Sequence, residues 1–151
     1  MMQNSSTMVT LLLLVEDDPG DVELMRESLC TTTLTVEMHV VDDGVKALQY
    51  LRKIGPFCDA PRPDMVLLDL NMPKMGGRDV LREIRKDDAL KDMPVIILTT
   101  SDADADIAAC YLLGANCYLT KPVGLDAFNT FMRTLEDFWF TLAKLPKHDK
   151  G

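Results

Sequence analysis

Five short runs rich in apolar and β-branched residues, at 11–15, 36–41, 65–68, 95–98 and 117–119, alternate with stretches whose apolar residues recur three or four apart. Runs this short, most of them free of charge, suit strands buried on both faces, and the intervening periodicity suits helices. The two signals alternate five times without an internal repeat. That order predicts a parallel sheet covered by helices on both faces and joined by right-handed crossovers, an α/β fold of type (βα)5 in three layers.

Local signals refine the outline. Pro19-Gly20-Asp21 opens a first helix with Val22, Met25 and Leu29 on one face and Leu24 off it. Asp42-Asp43-Gly44 reads as a turn before a second helix marked by Val45, Leu48 and Leu51. Residues 54–64, with Pro56, Pro61 and Pro63, read as a loop. Gly76-Gly77 precedes a third helix with Val80, Leu81 and Ile84, and Gly114 ends a fourth over residues 104–113. Residues 1–9 read as a disordered tail, 10–142 as one domain and 143–151 as a C-terminal tail.

With 16 basic against 24 acidic residues the formal net charge is -8, which repels phosphate backbones and anionic membrane surfaces, so nucleic acid is not expected as a ligand. The first apolar run has no basic residue before it and leads into Glu16-Asp17-Asp18, which fits neither a signal peptide nor a membrane span. A cytoplasmic protein with no membrane partner is expected. Cys30, Cys58, Cys110 and Cys117 form no CxxC pair and lie among apolar neighbours, so they read as buried or semi-buried free thiols.

Four polar stretches follow directly on strand runs: Glu16-Asp17, Asp69-Leu70-Asn71-Met72-Pro73, Thr99-Thr100 and Lys121-Pro122. All should gather at the C-terminal edge of the sheet, where open α/β folds place their ligands. Glu16, Asp17 and Asp69 would repel one another there unless a cation or protons neutralise them. Mg2+ suits the set, because it is held by few carboxylates and completes its octahedron with waters and phosphate oxygens; calcium wants more protein oxygens. A carboxylate is also a nucleophile toward phosphorus, and the charge of an aspartyl phosphate needs donors of the kind Lys121 and Thr99 supply. Taken singly, an Asp after a strand is more often a helix cap and a Lys-Pro a turn. Their joint order argues for chemistry.

These stretches, together with Tyr118, resemble the response regulator receiver family of two-component signalling over about residues 11–135, and the intervals separating Asp69, Thr99 and Lys121 are similar to that family's. The resemblance implies a flavodoxin-like, doubly wound five-stranded sheet in which Asp69 accepts a phosphoryl group from a sensor histidine kinase. It implies Mg2+ held by Asp17, the Asp69 carboxylate and the Asn71 carbonyl, with Glu16 acting largely through water. Lys121 would pair with the phosphoryl oxygens, Thr99 would swing toward them, and the backbone amides of Asn71 and Thr100 would help bind them. Tyr118 would turn inward, and the Lys121-Pro122 bond would be cis.

Glu16 for the commoner aspartate, Thr100 for a small residue and Val123 for an aromatic depart from the family pattern. Residues 116–122, the proline-bearing loop before the third strand, and Phe138-Trp139-Phe140 with Leu145-Pro146 are similar to single-domain regulators that partner bacterial and cyanobacterial phytochromes. Several of those regulators form homodimers through their last helices, so a bacteriophytochrome kinase and a second copy of the chain are the implied partners.

The last helix carries Phe128, Phe131, Met132, Leu135, Phe138, Trp139 and Leu142, a stripe broader than sheet packing requires, with a heptad-like seam. Phe128, Met132 and Leu135 are expected on the sheet; Phe138, Trp139 and Leu142 pass its edge and are expected in the homodimer. Leu24 reads equally as a kinase-docking residue and as a scattered surface leucine. No enzyme activity toward other molecules is expected, since a phosphatase working through an aspartyl phosphate wants a second acid where Asn71 stands. A cofactor binder of the flavodoxin kind lacks its Ser/Thr/Gly loop. A phosphorelay intermediate, passing the group to a histidine phosphotransfer protein, stays open. Asn71 and Ser101, uncharged and two positions beyond Asp69 and Thr99, predict a phosphoryl lifetime of minutes to hours.

Overall fold

The computed structural model describes residues 10–29, 36–72 and 74–138. In chain order they form β1 (Thr10–Val15), α1 (Pro19–Leu29), β2 (Val36–Val41), α2 (Gly44–Arg52), β3 (Met65–Leu68), α3 (Gly77–Lys86), β4 (Val95–Thr99), α4 (Asp104–Leu112), β5 (Cys117–Thr120) and α5 (Leu125–Leu135), with a single 3-10 turn at Gly55–Phe57. All strand pairs are parallel, in the order β2-β1-β3-β4-β5. The chain leaves β1 toward one edge and crosses back to β3 on its other side, so the winding reverses between β1 and β3. A ligand crevice opens at the C-terminal ends of strands flanking such a reversal.

Side chains alternate across the sheet, as period-two geometry requires. Leu13, Val15, Val66, Leu68 and Ile97 pack with Ala47, Leu48, Leu51, Val80, Leu81 and Ile84 from α2 and α3. Leu12, Leu14, Met65, Leu67 and Ile96 pack on the other face with Met25 of α1 and Phe128, Met132 and Leu135 of α5. Each such side chain, taken fully out of water, contributes about 1.5–3 kcal/mol. The two cores hold the strand ends level, with Val15 facing Val41 on one side and Leu68 on the other.

Several local expectations are corrected. Asp42-Asp43-Gly44 is no free turn: the Asp43 side chain accepts from the Lys46 N–H at 2.8 Å and caps α2, and Gly44 is already helical. Only glycine fits there, because a Cβ would lie 2.4 Å from the Met75 carbonyl oxygen. With that start, Ala47 takes the core position and Val45 is left 41% exposed. Leu24 is not off the core face of α1; it is partly buried against the second core, since α1 packs on α5 as well as on the sheet. Cys58 is exposed, one residue past the surface 3-10 turn, whereas Cys110 is buried and Cys117 half-buried. The described residues contain no cis peptide, so Lys121-Pro122 is trans. The trans preference of an X-Pro bond is only about 0.5–1 kcal/mol, too small for sequence to fix the isomer.

In α5, Phe128, Met132 and Leu135 are buried as expected, and Phe138, just beyond the helix, is 52% exposed. Trp139, Leu142, Cys30, Pro73 and the tails at 1–9 and 143–151 lie outside the described residues.

Candidate phosphoryl-acceptor site

Hydrogen bonding carries the sheet one residue past its strands. The Glu16 N–H donates to the Val41 carbonyl at 3.0 Å and the Asp69 N–H to the Val15 carbonyl at 3.1 Å, which fixes both acids beside each other at the crevice. Glu16 and Asp69 are buried, Asp17 is exposed, and one carboxylate oxygen from each lies within 4.8 Å of the others. The Asp18 N–H donates to Glu16 Oε2 at 3.1 Å, and Asp18 in turn accepts from the Gly20 N–H at 2.8 Å in the turn that opens α1. Burial, and to a smaller extent the Asp69 carboxylate, push the Glu16 carboxyl up to about 7, against the opposing hydrogen bond from Lys121. Asn71 is exposed, and its N–H reaches Asp69 Oδ1 only loosely, at 3.4 Å.

Lys121 enters the cluster from the far end of β5. Its Nζ lies 2.6 Å from Glu16 Oε1, 2.7 Å from Asp21 Oδ2 and 3.6 Å from Asp69 Oδ2. Burial alone would depress the ammonium's pKa, but the bonds to Asp21 and Glu16 outweigh it and hold it above the ordinary lysine value. Glu16 is thus engaged directly by Lys121 and the Asp18 amide. Asp21 was not anticipated. Its partner lies 100 positions away, and no local spacing pattern links a helix-opening aspartate to a lysine after the last strand.

Thr99 ends β4 between β3 and β5; it is fully buried and its hydroxyl has no hydrogen-bond partner among the described residues. Thr100 is exposed. The Tyr118 hydroxyl donates to the Ser101 carbonyl at 2.8 Å, so the ring already leans on the β4–α4 connection; burial, the leading cause, raises its pKa. The Ser101 hydroxyl donates to Asp106 Oδ2 at 2.5 Å, and Arg78 of α3 bonds the other oxygen of Asp106. Phosphate chemistry has no visible use for Arg78 and Asp106, and sequence spacing did not single them out.

The structure therefore brings Glu16, Asp17, Asp69 and Lys121 together and sets Thr99 and Tyr118 on the adjoining strands. A cleft of about 850 Å³ exists elsewhere, lined by Arg52, Arg62, Asp87 and Leu90 near the N-terminal ends of β3 and β4, away from this chemistry.

The model of the response regulator receiver domain matches residues 12–133. The chain belongs to the response regulator receiver family. Response regulator Rcp1 of Synechocystis sp. is 41% identical over 145 residues, covering 96% of this chain and 99% of Rcp1. The crystal structure of the Mn(2+)-bound form of Rcp1 superposes with a TM-score of 0.85 at 41% identity, covering 91% of this chain and 99% of that one. The phosphorylated cyanobacterial phytochrome response regulator RcpA is 42% identical with a TM-score of 0.88, covering 93% and 100%. A response regulator in red light signaling of R. palustris is 34% identical with a TM-score of 0.86, covering 92% and 99%.

The donor set of this receiver fits a divalent cation. Three carboxylates converge, and their all-oxygen character suits a hard ion. Glu16, Asp17 and Asp69 would hold it. Among the described residues no helix is long and apolar enough to cross a membrane.

Proposed function

We propose that this receiver accepts a phosphoryl group on Asp69 from a sensor histidine kinase, in a Mg2+-dependent reaction, and converts occupancy into a change of conformation or dimerisation. The observation that carries the reading is the convergence of Asp69 with Glu16, Asp17 and the Lys121 ammonium at the crevice between β1 and β3. Bound Mg2+ would supply charge neutralisation for the incoming phosphoryl oxygens. Around it, Asp69 offers the nucleophilic oxygen and Lys121 a mobile cation for the product's charge, while the unpartnered Thr99 hydroxyl gains its first acceptor when phosphoryl oxygens arrive. Asn71 and Thr100 would contribute main-chain groups, and Tyr118 would follow Thr99. The chain acts as an acceptor and switch in the cytoplasm, with no catalysis on other molecules.

A phytochrome-type photoreceptor is the kinase this reading favours, supported by similarity to Rcp1 and RcpA over nearly the whole of both chains. Output through a homodimer is supported by the exposed apolar side chains that the chain carries from α4 onward, Tyr111, Leu112, Val123, Leu125 and Phe138. Exposed apolar side chains of this size on the last two helices and the segment between them are available to a partner surface. Trp139 and Leu142 complete the proposed dimer contacts.

The test is phosphotransfer from candidate sensor kinases, phytochrome-type first, to wild type and to Asp69→Asn, with and without Mg2+. Transfer to wild type alone, and only with the metal, is expected. Equal labelling of the two proteins would show that another carboxylate is the acceptor.

A further inference from the structure

We propose that Asp21 is a positioning residue for phosphoryl capture: its carboxylate holds the Lys121 ammonium off Asp69 in the resting protein and must release it when the phosphoryl group arrives. The inference rests on the acceptor reading of Asp69. Of the three carboxylates around Lys121 Nζ, the two at bonding distance are Glu16 at 2.6 Å and Asp21 at 2.7 Å, while Asp69 stands at 3.6 Å. An ammonium has three N–H donors, and at 3.6 Å none of them makes a normal bond to the acceptor carboxylate. The resting lysine is therefore committed elsewhere.

Asp21 differs from Glu16 in what a metal does to it. Glu16 belongs to the trio that converges on a shared cation position, with Asp17 and Asp69, and Asp21 does not. A dication that draws on Glu16 leaves Asp21 as the standing partner of the lysine. The Lys121 side chain is 8% exposed and that of Asp21 24%, so the ammonium is buried while its Asp21 partner stays partly open to solvent. Asp21 lies in the first turn of α1, and that helix packs against α5, which begins just after Lys121-Pro122. The position of the carboxylate is thus set by the same packing that sets the lysine.

Two consequences follow for the reaction. At 3.6 Å Lys121 attracts the Asp69 carboxylate through space without a normal hydrogen bond to it, which leaves the carboxylate lone pairs available for attack on phosphorus. Once phosphorylated, Asp69 presents new anionic oxygens, and the lysine reaches them only by lengthening its bond to Asp21. The pair acts as a brake on the modified state.

The experiment measures binding of beryllofluoride with Mg2+, a non-covalent mimic of the phosphorylated aspartate, to wild type and Asp21→Asn, each also in a Lys121→Met background, with folding checked by thermal melting. Asp21→Asn is expected to bind ~2- to 5-fold tighter, the scale of a partly exposed ion pair, and the gain is expected to vanish in Lys121→Met. Equal tightening in both backgrounds would mean relief of general charge repulsion and would overturn the proposal, as would unchanged or weaker binding. A second readout needs no lysine variant. Proton exchange of the Lys121 ammonium, followed by nitrogen-15 NMR, should be slow in ligand-free wild type and faster in ligand-free Asp21→Asn, and equally slow in both once beryllofluoride is bound; identical exchange in the free proteins would overturn the assignment. Wild type that binds no beryllofluoride at all would sink the acceptor reading itself and this inference with it.

Discussion

The main-chain carbonyl of Thr99 accepts a hydrogen bond from the Lys121 N–H at 2.7 Å, which ties the ends of β4 and β5, while the buried Thr99 hydroxyl has no partner among the described residues. Neither side chain is positioned by its own strand alone. The hydroxyl contributes nothing to the resting fold that a methyl group of the same shape would not, so its use lies in a state with a further acceptor at the site.

Thr99→Val should therefore leave the unmodified protein as stable as wild type or raise its stability by up to about 1 kcal/mol, since a buried, unsatisfied polar group is replaced by an apolar isostere. The same variant should lose the change in hydrogen exchange across residues 100–106 that phosphorylation or beryllofluoride brings about. Urea unfolding and exchange mass spectrometry check the two halves; a loss of stability beyond about 1 kcal/mol would mean that the hydroxyl has a partner in solution.

Glu16 makes the metal-free protein sensitive to pH. Its carboxyl, at about 7 in the folded chain against 4.5 for an ordinary glutamate, binds a proton more tightly folded than unfolded. Its contribution is fully present below pH 4.5 and is lost as pH rises to about 7, by an amount on the order of 3 kcal/mol. A divalent cation must displace that proton, so Mg2+ affinity should climb as pH rises through 7 and level off above it. Calorimetric titration in buffers of different ionisation enthalpy should show proton release on binding at pH 6 and little at pH 8. Affinity that is flat over that range would contradict the raised carboxyl.

Gly77 permits the loop that carries Asp69 to close. A Cβ at Gly77 would stand 2.2 Å from the Asp69 carbonyl oxygen and 2.8 Å from Leu70 Cα, both main-chain atoms with no rotamer to swing away. Gly77→Ala should cost about 3 kcal/mol, the upper part of the range for overpacking, and should weaken Mg2+ binding by displacing Asp69. A variant with wild-type urea midpoint and metal affinity would show that the loop yields freely.

Arg85 should separate stability from chemistry. Its guanidinium donates to the carbonyls of Gly114, Lys91 and Met93 and to Asn116 Oδ1, at 2.7 to 2.9 Å, stapling the approaches to β4 and β5 at the end of the sheet away from Asp69. Arg85→Met removes these bonds while keeping much of the packing, and should cost about 2–3 kcal/mol with Mg2+ affinity unchanged. A large loss of metal binding would mean that the two ends of the sheet are coupled.

Much of the site was legible because parallel strands held in register end at one level, so a polar residue directly after each apolar run needs no further information to reach the crevice. Glu16, Asp69 and Lys121 are of that kind. Asp21 is not, because it reaches Lys121 only through the placement of α1 against α5, and neither does any repeat in the sequence encode the Arg78–Asp106–Ser101 bonds between α3 and the start of α4. Leu24 was misjudged for a related reason: helical periodicity assumes one buried face, and α1 packs on two neighbours.

The amino-acid order alone determined five buried strands, their alternation with helices, the edge at which the acids and the lysine collect, and the family they resemble. These depend on local hydrophobic pattern and chain connectivity. The partner each charge chooses and the contact that reserves Gly77 for glycine were decided by tertiary packing. Each depends on distances between segments remote in sequence, where differences of an ångström or about 1 kcal/mol select the outcome.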